Sequence, residues 1–159
     1  MANITLITVG TLKEGYLRSA LDEYKKRISQ YARIEEKEIK EEPIHNEDDT
    51  AQITRALDAE GKKILAAVPD GAYKIALCVE GKQYSSEELA KIVERACDAS
   101  GRIAIIIGSS HGLSTEVKRS ADLKLSISTL TFPHQLIRPV ILEAIYRSFT
   151  IIHGKRYHK

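Results

Sequence analysis

At roughly 100 to 200 residues per domain, a chain of 159 residues has room for one domain with a good core, spanning 1–159, and none for a second. Its 43% hydrophobic and 29% charged residues, with nine Gly and four Pro, exclude disordered, collagen-like and coiled-coil chains. The net charge of +2 is too small by itself to announce a nucleic-acid partner, so its distribution carries more meaning than its sum.

The opening run Asn3 to Val9 is rich in Ile, Thr and Val and meets Gly10, which predicts a buried strand. Leu17, Leu21, Tyr24, Ile28 and Tyr31 then recur at helical spacing. Arg33 to Ile39 reads as a weakly apolar second strand. It leads into a segment from Glu35 to Asp49 so crowded with carboxylates that a mobile, solvated loop is expected there. Ile53, Leu57, Ile64, Leu65 and Val68 mark the next helix, with Gly61 as a soft spot, before Pro69-Asp70-Gly71 turns the chain.

Tyr73 to Val79 predicts a strand closed by Gly81. Ser85 with Glu88 three residues on forms a capping box that opens a helix through Leu89, Ile92, Val93, Ala96 and Cys97, ended by Gly101. Arg102 to Ile107 is so continuously apolar that it belongs in the middle of a parallel sheet covered on both faces. A short helix over Thr115 to Ala121, a strand from Leu123 to Ser126 and a final helix from Gln135 to Ile152 complete the chain. Alternation of strands and helices predicts an α/β fold, with a mostly parallel sheet of about five strands flanked by helices.

Cys78 and Cys97 cannot build a disulfide framework or a four-ligand zinc site, and both fall at predicted buried positions. The carboxylates of the acidic segment match no calcium-loop spacing, so no metal is expected. The first residues show no export signal and no apolar stretch reaches the length of a membrane span, which suits a reducing, cytoplasmic location.

Charge is concentrated at the C-terminal end. From Pro133 onward there are five bases, Arg138, Arg147, Lys155, Arg156 and Lys159, against the single acid Glu143. Tyr146, Phe149 and Tyr157 interleave with them, as do His134, His153 and His158. Cations alternating with aromatic faces suit RNA, and a solvated basic helix is the bland alternative.

Ligands of open α/β sheets bind beyond the carboxyl ends of the strands. The loop after Ile107, Gly108-Ser109-Ser110-His111-Gly112, lets backbone approach a ligand but lacks the lysine of a P-loop and the Gly-x-Gly-x-x-Gly of a dinucleotide turn. Ile127 to Phe132 combines apolar and hydroxyl residues without charge, which suits a flat, neutral group such as adenine. His134 after Pro133 is a candidate general base or RNA contact, or else a helix cap.

These loops resemble one family closely, the SPOUT-class methyltransferases of the RlmH type, which methylate a pseudouridine of large-subunit ribosomal RNA. The resemblance covers essentially the whole chain. It is carried by the opening strand to Val9-Gly10, Gly108 to Gly112, Leu130-Thr131-Phe132-Pro133-His134-Gln135 with Arg138, Glu143 to Tyr146-Arg147, and the terminal Tyr157-His158-Lys159. Ser109 departs from the second glycine that relatives usually carry.

The resemblance implies an S-adenosylmethionine pocket in a C-terminal trefoil knot, formed by Leu77, Gly108, Ile127, Ser128, Thr129, Leu130, Thr131 and Phe132. It also implies a homodimer acting on ribosomal RNA or the large ribosomal subunit, and methyl transfer to N3 of pseudouridine. His134 is the candidate to take the acceptor's proton, with Arg147, Tyr157, His158 and Lys159 positioning RNA. An RNA-binding or ribosome-associated factor without catalysis would use the same tail but need no adenine-sized pocket. Two further expectations concern surfaces. Ile137, Val140, Ile141, Ile145 and Phe149 offer an apolar face for dimerisation. A side chain at Gly108 would occupy ligand space and spare the fold.

Overall fold

The computed structural model describes residues 1–158. Lys159, one of the expected RNA contacts, lies outside the described residues. In chain order the elements are β1 (Ala2–Val9), α1 (Gly15–Ile28), β2 (Ala32–Ile39), α2 (Thr50–Ala67), β3 (Tyr73–Lys82), α3 (Ser86–Ala99), β4 (Arg102–Ile107), α4 (Thr115–Ser120), β5 (Leu123–Leu125) and α5 (Ile137–Ile152). The strands form one sheet of order β2-β1-β4-β3-β5, and all four pairings are parallel.

β4 is central, as its unbroken apolar run predicts. Alternate residues point to opposite faces of a strand. Ile103, Ile105 and Ile107 therefore join one core with side chains of α1, α3 and α5, while Ala104 and Ile106 join a second core with side chains of α2 and α4. Burying one such isoleucine contributes about 1.5–3 kcal/mol, which fixes the strand's register between the two layers. Side-chain caps start three helices. Ser85 and Glu88 form the expected capping box on α3. Asp49 accepts from the Ala51 and Gln52 amides to open α2, and Ser114 accepts from the Val117 amide to open α4.

Four expectations change. The first part of the acidic segment is strand, not loop: Glu35, Glu36 and Glu38 lie on β2, where Glu36 receives Arg18 at 3.0 Å and Lys25 at 2.7 Å. β3 does not stop at Gly81 but runs on to Lys82, whose carbonyl receives the Ser126 amide at 3.0 Å. A β-carbon on Gly81 would sit 2.7–2.8 Å from backbone atoms of Lys124 and Leu125, so the glycine lets β3 pass tightly over β5. Gly61 is no soft spot, because a side chain there would collide with Ser114 and Val117 of the α4 start. The cysteines are half-buried, not fully buried.

The final helix lies against α1 and α3. Ile141 and Ile145 are fully buried there and Phe149 is 3% exposed. These three residues are core, which removes them from any dimer surface and leaves Ile137 and Val140 partly exposed. Among the described residues no helix is long and apolar enough to cross a membrane, and no cluster of three or more His, Cys, Asp or Glu side chains is placed to hold a metal.

Candidate functional site

The loops that follow β3, β4 and β5 surround a cavity of about 600 Å³, a size suited to a nucleotide-scale ligand. Leu77 contributes from β3, Gly108 from the loop after β4, and Ile127, Ser128, Leu130, Thr131 and Phe132 from the segment after β5. Thr129, the remaining member of the expected set, does not line it. Pro133, His134 and Ile137 complete the lining on the α5 side. The segment after β5 is shaped by its own hydroxyls: Ser126 Oγ donates to the Ser128 carbonyl at 3.0 Å, and Ser128 Oγ accepts from the Leu130 amide at 3.0 Å. These bonds leave Leu130 74% exposed, an apolar side chain standing free at the cavity.

Charged groups also reach this cavity. Glu80 and Lys118 pair across 2.5 Å, and both line it. The Lys118 ammonium holds the Glu80 carboxyl below its ordinary range. On another wall His111 Nε2 meets Glu47 Oε2 at 2.8 Å, which brings the acidic segment against the glycine loop. Cys78 lines the cavity as well, but burial pushes its thiol up, followed by the Glu80 charge, so it stays protonated and unreactive near neutral pH.

Gly108 is a close-approach position, though not for the expected reason. A β-carbon built on it would overlap the Gly112 carbonyl oxygen and stand 2.9 Å from Leu113 Cδ2. The crowding is with the protein's own loop. Substitution therefore disturbs the fold of residues 108–113 and not ligand space alone.

His134 sits in the turn that leads into α5, half-buried. Burial, then the Arg138 charge, push its imidazole below the ordinary histidine value, against the opposing pull of Glu41. Arg138 is 2% exposed. Its Nη2 donates to the carbonyls of Val9 and Gly10 at 3.0 Å each, tying the start of α5 to the carboxyl end of β1.

The other expected catalytic residues lie elsewhere. Arg147 donates to Glu143 Oε1 through Nη2 at 2.6 Å and through Nε at 3.1 Å, and its guanidinium lies 4.7 Å from the Tyr157 ring centroid. The Tyr157 hydroxyl donates to the same Glu143 oxygen at 3.1 Å, and its ring meets Tyr146 edge-on at 4.8 Å. His158 bridges Arg147, 3.3 Å from Nδ1, and Glu87 of α3, 2.7 Å from Nε2. At about 1.5 Å per residue, Arg147 is about 15 Å along α5 from Ile137 at the cavity. Within one chain the expected set thus divides in two: His134 with the cavity, and Arg147, Tyr157 and His158 in an ordered cluster away from it. Among the four tail bases that are described, Arg138 and Arg147 are committed to internal partners. The sequence places Leu77 and Glu80-Gly81, at the end of β3, beside the loop after β5, and Glu80 does line the cavity; sequence reasoning missed its partner Lys118 and Glu87, which nothing in the sequence marked.

A parallel sheet with its cavity across the strand carboxyl ends defines an α/β ligand-binding domain, and solved structures share this fold. A probable methyltransferase from Bordetella pertussis Tohama I superposes with a TM-score of 0.59 over 92% of this chain and 96% of its own, at 16% identity. A probable methylase family protein from Haemophilus influenzae Rd KW20 gives 0.52 over 97% and 67%, also at 16%. The family model for predicted SPOUT methyltransferases matches residues 2–158. Proteins described as ribosomal RNA large subunit methyltransferase H are similar along their whole length: 49% identical in Caldicellulosiruptor bescii, over 98% of this chain and 99% of that one, and 45% in Shouchella clausii, over 99% of each. The chain belongs to the SPOUT methyltransferase family.

Proposed function

We propose that this chain methylates N3 of a pseudouridine in 23S ribosomal RNA, using S-adenosylmethionine, in the cytoplasm. The observation that carries the reading is the cavity of about 600 Å³ at the ends of β3, β4 and β5, joined to full-length similarity with the large-subunit methyltransferases.

The lining fits the cofactor. Leu77, Ile127 and Phe132 give apolar contact for an adenine ring, the amides of the segment after β5 give hydrogen bonds, and the hydroxyls of Ser128 and Thr131 suit a ribose. When bound, S-adenosylmethionine supplies a methyl group already activated on a sulfonium. The chain's task is then to hold the acceptor nitrogen in line at near-attack distance, to exclude water and to take the N3 proton. His134 takes that proton on its imidazole, which its surroundings keep unprotonated at pH 7 and so free to accept it. Arg147, Tyr157, His158 and the terminal Lys159 grip RNA.

The separation of His134 from the tail cluster supports a homodimer, in which one chain's tail completes the partner's cavity. The C-terminal trefoil knot belongs to the same reading. It is supported by the path of the chain, which leaves edge strand β5 and is next fastened by Arg138 to β1, on the far side of β3 and β4.

The experiment is calorimetry with S-adenosylmethionine, followed by transfer of labelled methyl to isolated large subunits and to free 23S RNA. Micromolar binding with label recovered at a pseudouridine is the expected result. RNA binding without cofactor binding would replace the reading with a non-catalytic RNA factor.

A further inference from the structure

Arg138 sets a problem of charge. A guanidinium taken from water costs several kcal/mol unless it is paired, yet among the described residues the one carboxylate within 4 Å of it is Glu38, at 3.8 Å from Nη1. Nη2 satisfies the Val9 carbonyl at the end of β1 and the Gly10 carbonyl just beyond it, and Nε has no partner. A neutral amide could satisfy two carbonyls without burying a charge. What the guanidinium adds is therefore its field.

The field falls on one side of the cavity. Arg138 follows His134 by four residues, about one helical turn, and the turn between them is fixed at both ends. The Gln135 carbonyl oxygen Oε1 accepts the Lys13 amide at 3.2 Å, and the Ile137 amide returns to the Pro133 carbonyl at 3.1 Å. Two charged groups of opposite sign face His134, Arg138 from α5 and Glu41 from the segment after β2. Arg138 is buried and locked, whereas Glu41 is exposed. The locked charge is the one whose influence on the ring does not fluctuate with solvent.

We propose that Arg138 is a positioning residue for methyl transfer: buried one turn after His134 and locked on the Val9 and Gly10 carbonyls, it fastens the His134 turn to the end of β1 and sets a fixed positive charge behind it. This rests on the reading of His134 as proton acceptor. Burial lowers the ring's proton affinity first, and Arg138 lowers it further. A conservative Lys would keep the charge but not the double grip on Val9 and Gly10. Gln would keep a donor and lose the charge.

The test is a histidine NMR titration of the full-length apo protein, with the His134 signal assigned by its loss in His134→Ala. In Arg138→Gln the His134 midpoint should rise, in Arg138→Lys it should stay near the parent value, and in Glu41→Gln it should fall. The acid limb of the methylation rate should move with the midpoint. Unmoved midpoints in folded Arg138→Gln and Glu41→Gln proteins would overturn the proposal. If Arg138→Gln does not fold, Arg138→Met, which fills the same buried space without charge, takes its place. An unmoved midpoint in whichever of these two variants folds overturns the field and leaves a clamp alone, and a raised one supports it. A midpoint that moves while the acid limb stays fixed instead overturns His134 as proton acceptor, and with it Arg138's part in the reaction.

Discussion

The α-carbon of Gly108 lies beneath the carbonyl of Gly112, so close that any side chain at 108 would overlap that oxygen. The antiparallel bridge between Ser109 and Gly112, closed by the Gly112 amide on the Ser109 carbonyl at 2.9 Å, holds the loop in this tight shape. Overpacking of this kind costs about 1–3 kcal/mol. Gly108→Ala should therefore lower the melting temperature of the apo protein by several degrees, at about 2–4 °C per kcal/mol for a chain of this size, and weaken S-adenosylmethionine binding by moving the loop. A melt identical to the parent's with binding lost would show that the ligand alone needs the space.

The tail cluster predicts a different separation. Tyr157 and His158 are held by Glu143, Arg147 and Glu87 and do not line the cavity of their own chain. Deleting residues 157–159 should abolish methylation and leave cofactor affinity within about threefold. A tenfold loss, about 1.4 kcal/mol, would place the tail in the cofactor pocket, whether its own or a partner's. Tyr157→Phe keeps the contact with Tyr146 and removes only the bond to Glu143, so it should retain most of the activity that Tyr157→Ala loses.

How far these features could be read in advance follows from what each depends on. β4 was legible because Ile103 to Ile107 are apolar on both faces, a pattern that local composition alone displays. α3 was legible because Ser85 and Glu88 write its start. The cavity loops were legible from topology, since strand ends bind ligands in parallel sheets. Arg138 was misread as a tail cation, although it stands three, four and seven residues before Ile141, Leu142 and Ile145, on the buried stripe of α5. That same periodicity marked Ile141, Ile145 and Phe149 as apolar without saying whether α1 and α3 or a second chain covers them. The distance from His134 to Arg147 depends on α5 being straight and folded back over the sheet, which no local signal encodes. Gly61 and Gly108 looked like flexibility and close approach to a ligand, because the atoms that crowd them come from loops and helices read separately.

Gly61 gives a sign reversal. In an exposed helix interior Gly→Ala stabilises by about 0.5–1 kcal/mol. Here a β-carbon would collide with Ser114 Oγ and lie 3.1 Å from Ser114 Cβ and 3.2 Å from Val117 Cγ2. Ser114 could retreat only by giving up the Val117 amide that it caps at 3.2 Å, a loss of about 1 kcal/mol, on top of overpacking at about 1–3 kcal/mol. Crowding outweighs propensity. Gly61→Ala should be less stable than the parent by about 1–3.5 kcal/mol in urea denaturation, and a variant of equal or greater stability would show that α2 and α4 separate at little cost.

The last prediction concerns Glu60, which is 2% exposed. Its Oε2 accepts the Glu42 amide at 2.9 Å, and Oε1 has no partner. Burial raises its proton affinity above the ordinary carboxyl range, and the nearby Glu41 and Glu42 charges add to the rise against the pull of the amide. A carboxyl that holds its proton more tightly when folded contributes stability that is fully present below its unfolded value, and loses it as pH climbs through the raised folded value. Glu60→Gln has nothing to titrate and keeps an oxygen for the Glu42 amide. The stability of the variant minus that of the parent should therefore grow between about pH 4, near the unfolded carboxyl value, and pH 8, read from denaturant midpoints at matched ionic strength. A difference that stays flat across this range would mean that Glu60 titrates normally, with water reaching Oε1.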